Sequence, residues 1–402
     1  MLNILCLLPR YYEEKNSSTL EKELVLELAK KNNITVATLS ETRETYLKKI
    51  DNVEVFKINV GDYYSPKVTK IDKGLTMLKL PYIFGYNIKK YLGKNKYDLI
   101  ITSTPMLNNP LLMKKLKSIY NSKIMLIIWD IFPQNAIDLR IIKNKLLINI
   151  FSKKYNKAIE LADYISCMSE GNQKYLSNKY PKALNKFFVL KNWAQTKEKP
   201  VFNKKLVREK YGYTENDFIC IFGGNMGKPQ KLENILELAK KSLIDKNIKF
   251  LFIGKGTERN LLENKVKNEK ISNVKFLDYI PREDYELVTA SCDVGLVSLD
   301  ERFTVPNFPS KTTDYFKLEL PILASLDSCA AADYGKFLQD EVKGGLFALA
   351  GDTYELYSQL LKLKNNNELK IKLGKNGRQY YENELGVDKA YETIMKQIKN
   401  RG

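Results

Sequence analysis

The chain has no histidine. That removes His-based triads, His metal sites and HExxH chemistry together. Acid/base work then falls to carboxylates, lysine or tyrosine, or to the substrate itself. The five cysteines, Cys6, Cys167, Cys220, Cys292 and Cys329, are scattered without paired spacing, which reads as a reducing compartment and no disulfide framework. No apolar run approaches the roughly 20 residues that cross a bilayer, and MLNILCLLPR lacks the basic leader of a signal peptide. The expectation is a cytoplasmic protein, soluble or peripheral on the inner face of the membrane. GxxxxGK[ST] and GxGxxG are both missing, and no DxD stands between strands.

What is present is a chain of 402 residues, longer than one core usually supports, so two domains are expected. An apolar content of 44% and a charged content of 28% describe a globular protein. The net charge of +19 favours anionic partners: nucleic acid, an anionic membrane face or phosphorylated substrates. The lysines follow no RNP, helix-turn-helix or zinc pattern, so nucleic acid is not expected among them.

Apolar, non-alternating runs alternate with helical segments: NILCLL, ITVATL, VEVFKINV, YDLIITST and KIMLIIWD in the first half. This pattern predicts an α/β fold with parallel sheets covered on both faces. Ligands of such sheets sit beyond the carboxyl ends of the strands. Asp130, in WDIFPQNA, stands at such an end, where a carboxylate orients or deprotonates a hydroxyl or caps the next helix. Asn16 and Ser17 stand where the first loop meets its helix, as caps or ligand contacts. The polar, proline-interrupted QTKEKPVFNKK (195–205) marks a linker. It separates an expected domain over 1–195 from one over 196–380.

The second half repeats the logic. FICIFGGNMGKPQKLENILELAKK and KFLFIGKGTERN are each a strand, a glycine turn and a helix. Gly224, Gly227 and Gly254 let the backbone turn tightly and approach a ligand. In NFPSKTTDYFKLELPILA (307–324), Pro306 and Pro309 bar a helix from running through. Ser310 is placed to cap one beginning at Lys311, and a helix N-terminus suits a phosphate. Lys311 and Asp314 share a face of its first turn, one for phosphate and one for a hydroxyl. Together these turns make a crevice suited to a nucleotide diphosphate.

GGNMGKPQ, FLFIGKGTER, NVKFLDYIPREDY, SCDVGLVSL and PSKTTDYFKLELPILA, taken in order, resemble the family 4 retaining glycosyltransferases of the GT-B fold. YDLIITSTP, WDIFPQNA, ADYISCMSEG and VLKNW resemble the bacterial capsule and O-antigen sugar transferases that include the L-fucosaminyltransferases. The resemblance implies two Rossmann-like domains facing across a cleft, a C-terminal helix over 381–402 crossing back to the first, and no cofactor or metal. It further implies a nucleotide-sugar donor, UDP-linked by family majority, and a saccharide acceptor, lipid-linked. Gly224, Asn225, Gly227, Gln230, Gly254 and Lys255 would then line the diphosphate turn, with Pro309, Ser310 and Lys311 beneath it. Asp314 would match the ribose-holding second glutamate of the family's paired motif, and Tyr279 and Ile280 the strand end that reads the base. Asp130 and Lys311 become the catalytic candidates, with Asn16, Ser17 and Gln134 on the acceptor side.

The chain departs from the family pattern in carrying EEKNSS for the acceptor loop, Pro306 for the first motif glutamate, and Glu319 where a small residue or glycine is usual. A non-catalytic nucleotide-sugar scaffold and a nucleotide-sugar epimerase remain alternative readings. Two basic segments with apolar residues at helical spacing, 78–96 and 139–157, are expected either to meet an anionic membrane or to pack on the sheet.

Overall fold

The computed structural model describes residues 1–14, 19–63, 70–104, 107 and 109–401, and the chain divides into two units, one of Met1–Trp193 with Val387–Gly402 and one of Ala194–Gly386.

In the first unit the elements are β1 (Asn3–Leu8), α1 (Leu20–Ala29), β2 (Asn33–Leu39), β3 (Tyr46–Ile50), β4 (Val53–Ile58), α2 (Lys70–Leu92) and β5 (Leu99–Ser103). They continue as α3 (Pro110–Tyr120), β6 (Lys123–Ile128), α4 (Gln134–Asp138), α5 (Lys145–Leu161), β7 (Tyr164–Cys167), α6 (Glu170–Lys179) and β8 (Phe187–Val189). The sheet runs in the order β3-β4-β2-β1-β5-β6-β7-β8. Every pairing is parallel except β3 with β4. The inner strands are buried on both faces, which is why their sequences read as continuous apolar runs. The antiparallel edge strand β3 was not expected: YLKKI is open to solvent along its middle and carries too few apolar residues to stand out.

Helix starts follow their caps. The Thr19 side chain accepts from Lys22 N–H at the start of α1, where Asn16 or Ser17 had been the candidates. Asn109 with Pro110 opens α3, Asn144 caps α5 and Ser169 caps α6, as such residues do at unpaired helix N–H groups.

The second unit holds α7 (Lys204–Lys210), β9 (Phe218–Gly223), α8 (Glu233–Lys241), β10 (Ile248–Ile253), α9 (Arg259–Asn268), β11 (Val274–Leu277), α10 (Arg282–Ser291), β12 (Val294–Ser298) and α11 (Lys311–Lys317). It ends with β13 (Ile322–Leu326), α12 (Ser328–Ala330) running into π-helical turns, β14 (Gly345–Leu349), α13 (Thr353–Asn365) and α14 (Asn367–Glu384). Its sheet, β11-β10-β9-β12-β13-β14, is parallel throughout. A buried ion pair ties it from beneath: Arg208 donates to Asp293 at 2.7 Å and to four backbone carbonyls. Burial alone would raise the Asp293 carboxyl, but Lys370, Arg208 and Lys204 outweigh it and hold it low.

The last helix, α15 (Val387–Arg401), belongs to the first unit. Val387, Ala390 and Ile394 join Leu24, Leu28 and Trp193 in that unit's core, and the Trp193 indole donates to the Leu20 carbonyl at 2.8 Å.

Candidate functional site

In the second unit the carboxyl ends of β9, β10 and β12 converge. β9 stops at Gly223, against whose α-carbon the Tyr285 ring is packed; a Cβ there would lie 2.1 Å from the Tyr285 hydroxyl. Gly224 follows at φ 120 and donates to the Ile253 carbonyl at 2.9 Å. Gly254, at φ 135, touches it from the other side, and a Cβ on Gly254 would stand 2.2 Å from the Gly224 oxygen. Both φ values exclude ordinary side chains. The two turns are then laced together: Met226 N–H donates to the Lys255 carbonyl at 2.8 Å, and Glu258 N–H to the Met226 carbonyl at 3.0 Å. Glycine is required here by the mutual approach of two backbones.

Lys311 begins α11 beside these turns. Its ammonium lies 4.6 Å from the Phe222 ring centroid, and a Cβ built on Gly224 would be 3.4 Å from it. No described residue gives it a hydrogen bond or an ion pair. Burial pushes its pKa down to about 8, against the opposing pull of Asp314. A half-buried cation that makes no hydrogen bond or ion pair with a described residue is stabilised when an anion completes its shell. Ser310 is corrected in one respect: it sits at the cap position in helical conformation and makes no side-chain cap bond, so its exposed hydroxyl is left for another partner. Pro309 precedes it, half-buried.

Asp314 is engaged by Arg282, whose two terminal nitrogens reach its two carboxylate oxygens. Arg282 is held in turn by Glu286 at 2.9 Å, and Glu286 by Lys317 at 2.6 Å. Gln230 is also occupied locally, its amide oxygen accepting from Gly227 N–H at 3.1 Å and closing the turn. Asn225 and Lys255 are exposed at the two turns, and Tyr279 stands 74% exposed beyond β11 with Ile280 half-buried beside it. The structure therefore gathers Gly224, Asn225, Gly227, Gln230, Gly254, Lys255, Pro309, Ser310, Lys311 and Asp314 on the carboxyl side of one sheet.

Two arginines that bind this end together were missed, because in sequence they read as solvated helix starts. Arg259 donates to the Gly254 and Leu277 carbonyls at 2.7 and 3.2 Å and to Asp278 at 2.7 Å, joining the ends of β10 and β11. Arg282 is the other. A third omission is Lys231, in the left-handed region at φ 38, which pairs with Glu301 at 3.0 Å and so ties the first turn to the loop after β12.

In the first unit Asp130 follows β6. It caps no helix: α4 begins behind Pro133 without a side-chain cap bond. The Asp130 side chain is open to solvent, yet the protein around it raises its carboxyl above the usual carboxylate range by desolvation. Gln134 donates to Asp138 at 2.7 Å. Asn16 and Ser17 lie outside the described residues.

The whole chain matches solved structures of one architecture. Sucrose-phosphate synthase (tll1590) from Thermosynechococcus elongatus superposes with a TM-score of 0.75 at 15% identity, over 100% of this chain and 99% of that one. Anabaena Alr3699/HepE, solved in complex with UDP and glucose, gives 0.66 at 14% identity over 100% of both chains. Both are similar in fold to this chain, and with two parallel α/β units the fold is GT-B. Residues 203–380 match the family Glycosyl transferases group 1. A Pseudomonas aeruginosa protein described as "Probable glycosyltransferase WbjE" is 24% identical over 333 residues, 80% of this chain and 77% of its own length. Over residues 203–380 the second unit is similar to the group 1 glycosyltransferases, and the chain is a glycosyltransferase.

Proposed function

We propose that the protein transfers a sugar from a UDP-linked donor to a saccharide acceptor with retention of anomeric configuration, in the synthesis of a cell-surface polysaccharide. The observation that carries the donor side is the Lys311 ammonium, half-buried beside Gly224 over the Phe222 ring, with no hydrogen bond or ion pair to a described residue. A diphosphate laid across the two glycine turns would meet that ammonium, the backbone amides and the Ser310 hydroxyl. Charge developing on the leaving phosphate is stabilised by such preorganised groups. Asp314, fixed by Arg282, faces a ribose hydroxyl, and Tyr279 with Ile280 borders the base.

In a chain without histidine, the leaving phosphate oxygen takes the proton of the attacking hydroxyl on the face from which the nucleotide departs. Asp130 orients that hydroxyl. The reaction needs neither metal nor cofactor. The acceptor is lipid-linked, the protein working at the inner membrane face, and the donor sugar is a hexose or N-acetylhexosamine, with the L-fucosaminyl type among the first to try.

The test is thermal shift with nucleotide diphosphates, followed by transfer from a panel of UDP-sugars with NMR assignment of the new anomeric centre. A native-state ligand at a hundredfold excess over its Kd adds about 2.7 kcal/mol of stability. A shift with UDP and none with NAD is expected, and then retention in the product. A folded sample indifferent to every nucleotide would overturn the donor site; UDP binding without transfer to any acceptor would leave a scaffold.

A further inference from the structure

The crossover from β6 to β7 carries a feature the donor chemistry does not use. Between Asp138 and Glu160 there is no acidic residue, while Arg140, Lys143, Lys145, Lys153, Lys154 and Lys157 all fall in that stretch. The second half of α5 behaves as a core helix, burying Tyr155, Ala158 and Ile159. Its first turns do the opposite: Leu146 is 67% exposed, Leu147 46% and Ile150 39%. Leaving three large aliphatic side chains together in water is unfavourable, and such clusters mark contact sites.

Beside them opens a shallow cavity of ≈ 410 Å³ lined by Ile137, Arg140, Ile142, Lys143 and Ile148. Neither cation there makes a hydrogen bond or ion pair with a described residue. Arg140 closes α4 in the left-handed region at φ 54, with Ile141 and Ile142 N–H donating back to the Ala136 carbonyl at 2.9 and 3.2 Å. The neighbouring layer continues the theme: α3 packs against α5 and α2 against α3, and α2 exposes Leu78, Tyr82 and Tyr86, spaced four apart.

We propose that this cavity and the first turns of α5 seat an anionic lipid of a bilayer, its phosphate on Arg140 and Lys143 and its first chain carbons on the isoleucines. Leu146, Leu147 and Ile150 enter the surrounding interface. Apolar side chains beside unpaired cations match a phosphate joined to a hydrocarbon chain, and neither half alone accounts for both. Asp130 stands at the start of the same crossover. The choice of occupant rests on the reading of the acceptor as lipid-linked; the surface itself is independent of the donor site.

Co-sedimentation with phosphatidylcholine vesicles, with and without phosphatidylglycerol, tests this. The wild-type protein is expected to sediment only with the anionic vesicles. Arg140→Gly with Lys143→Ala should weaken that partition about thirtyfold, from about 1 kcal/mol per basic residue at the surface. Glycine also relieves the left-handed strain, so the variant keeps its fold. A UDP-induced thermal shift equal to wild type reports that the donor unit is intact, so loss of lipid binding and loss of donor binding are read separately. Leu146→Ser with Leu147→Ser should weaken vesicle binding too, and Lys246→Ala with Lys267→Ala, on the other unit, should not. Equal losses from the control pair, or full binding by the cavity variants, would overturn the proposal. So would displacement by inorganic phosphate beyond that caused by sodium chloride of the same ionic strength, which would mark a site for free phosphate.

Discussion

Lys311 sits in an environment that disfavours its own charge, and a bound diphosphate reverses that preference. With a pKa of about 8 in the free protein, the ammonium is charged below pH 8 and increasingly neutral above it. UDP affinity should therefore be level below pH 8 and fall by up to about tenfold per pH unit above it. The same linkage acts oppositely on the unliganded fold. Between pH 8 and the unfolded lysine value near 10.4 the unfolded chain holds more protons, so this group's penalty is relieved as pH rises. Lys311→Met should remove the pH dependence of binding and lower kcat/KM about a hundredfold to a thousandfold. Calorimetric titration with UDP across pH 7 to 10, beside steady-state kinetics, checks both; an unchanged pH profile in the variant would place the diphosphate elsewhere. Lys311 was legible in sequence because it follows a proline turn, opens a helix, and falls where the family resemblance places the diphosphate. Arg282 was not. Its bond to Asp314 crosses 32 residues of sequence, and no local periodicity reports a contact of that span.

At the scale of elements, the donor end is built from two glycine turns that hold each other. Gly254→Ala would force a methyl group into the Gly224 carbonyl and strain φ at 135. It should cost about 1–3 kcal/mol from backbone strain, and more from the clash, and should abolish the UDP shift. Denaturant unfolding with and without UDP separates the two effects, and a variant as stable as wild type with full UDP binding would refute the mutual packing. The turns could be read from sequence because glycine clusters after apolar strands are conspicuous. Strand β3 could not, since an edge strand with one antiparallel partner buries too little to impose a hydrophobic pattern. The position of Glu319 shows why glycine is usual there in the family that the sequence resembles. It lies at φ 60, and its side chain pairs with Lys199 at 2.9 Å.

At the scale of the whole molecule, the first unit is discontinuous: residues through Trp193 need Val387–Gly402 to close it. Val387 and Ile394 are 7% and 0% exposed in its core, contributing about 3–6 kcal/mol together. Val387→Ser with Ile394→Ser should lower the stability of the first unit by about that amount. Hydrogen exchange should accelerate in α1, which packs on α15, while β9 to β13 stay protected. Uniform acceleration through both units would mean that they unfold as one. Sequence reading placed a returning helix in this region by resemblance, since nothing in the local pattern of α15 names the sheet it serves.

That discontinuity sets an order of events on the ribosome. The unit synthesised first cannot bury Leu24, Leu28 and Trp193 under α15 until the chain beyond Ile394 has emerged, about 200 residues after Trp193. At about 5–20 residues per second this is roughly 10–40 s of waiting. The second unit, continuous in sequence, has its whole chain by Gly386, ahead of α15, so the unit begun second is the one whose chain is complete first.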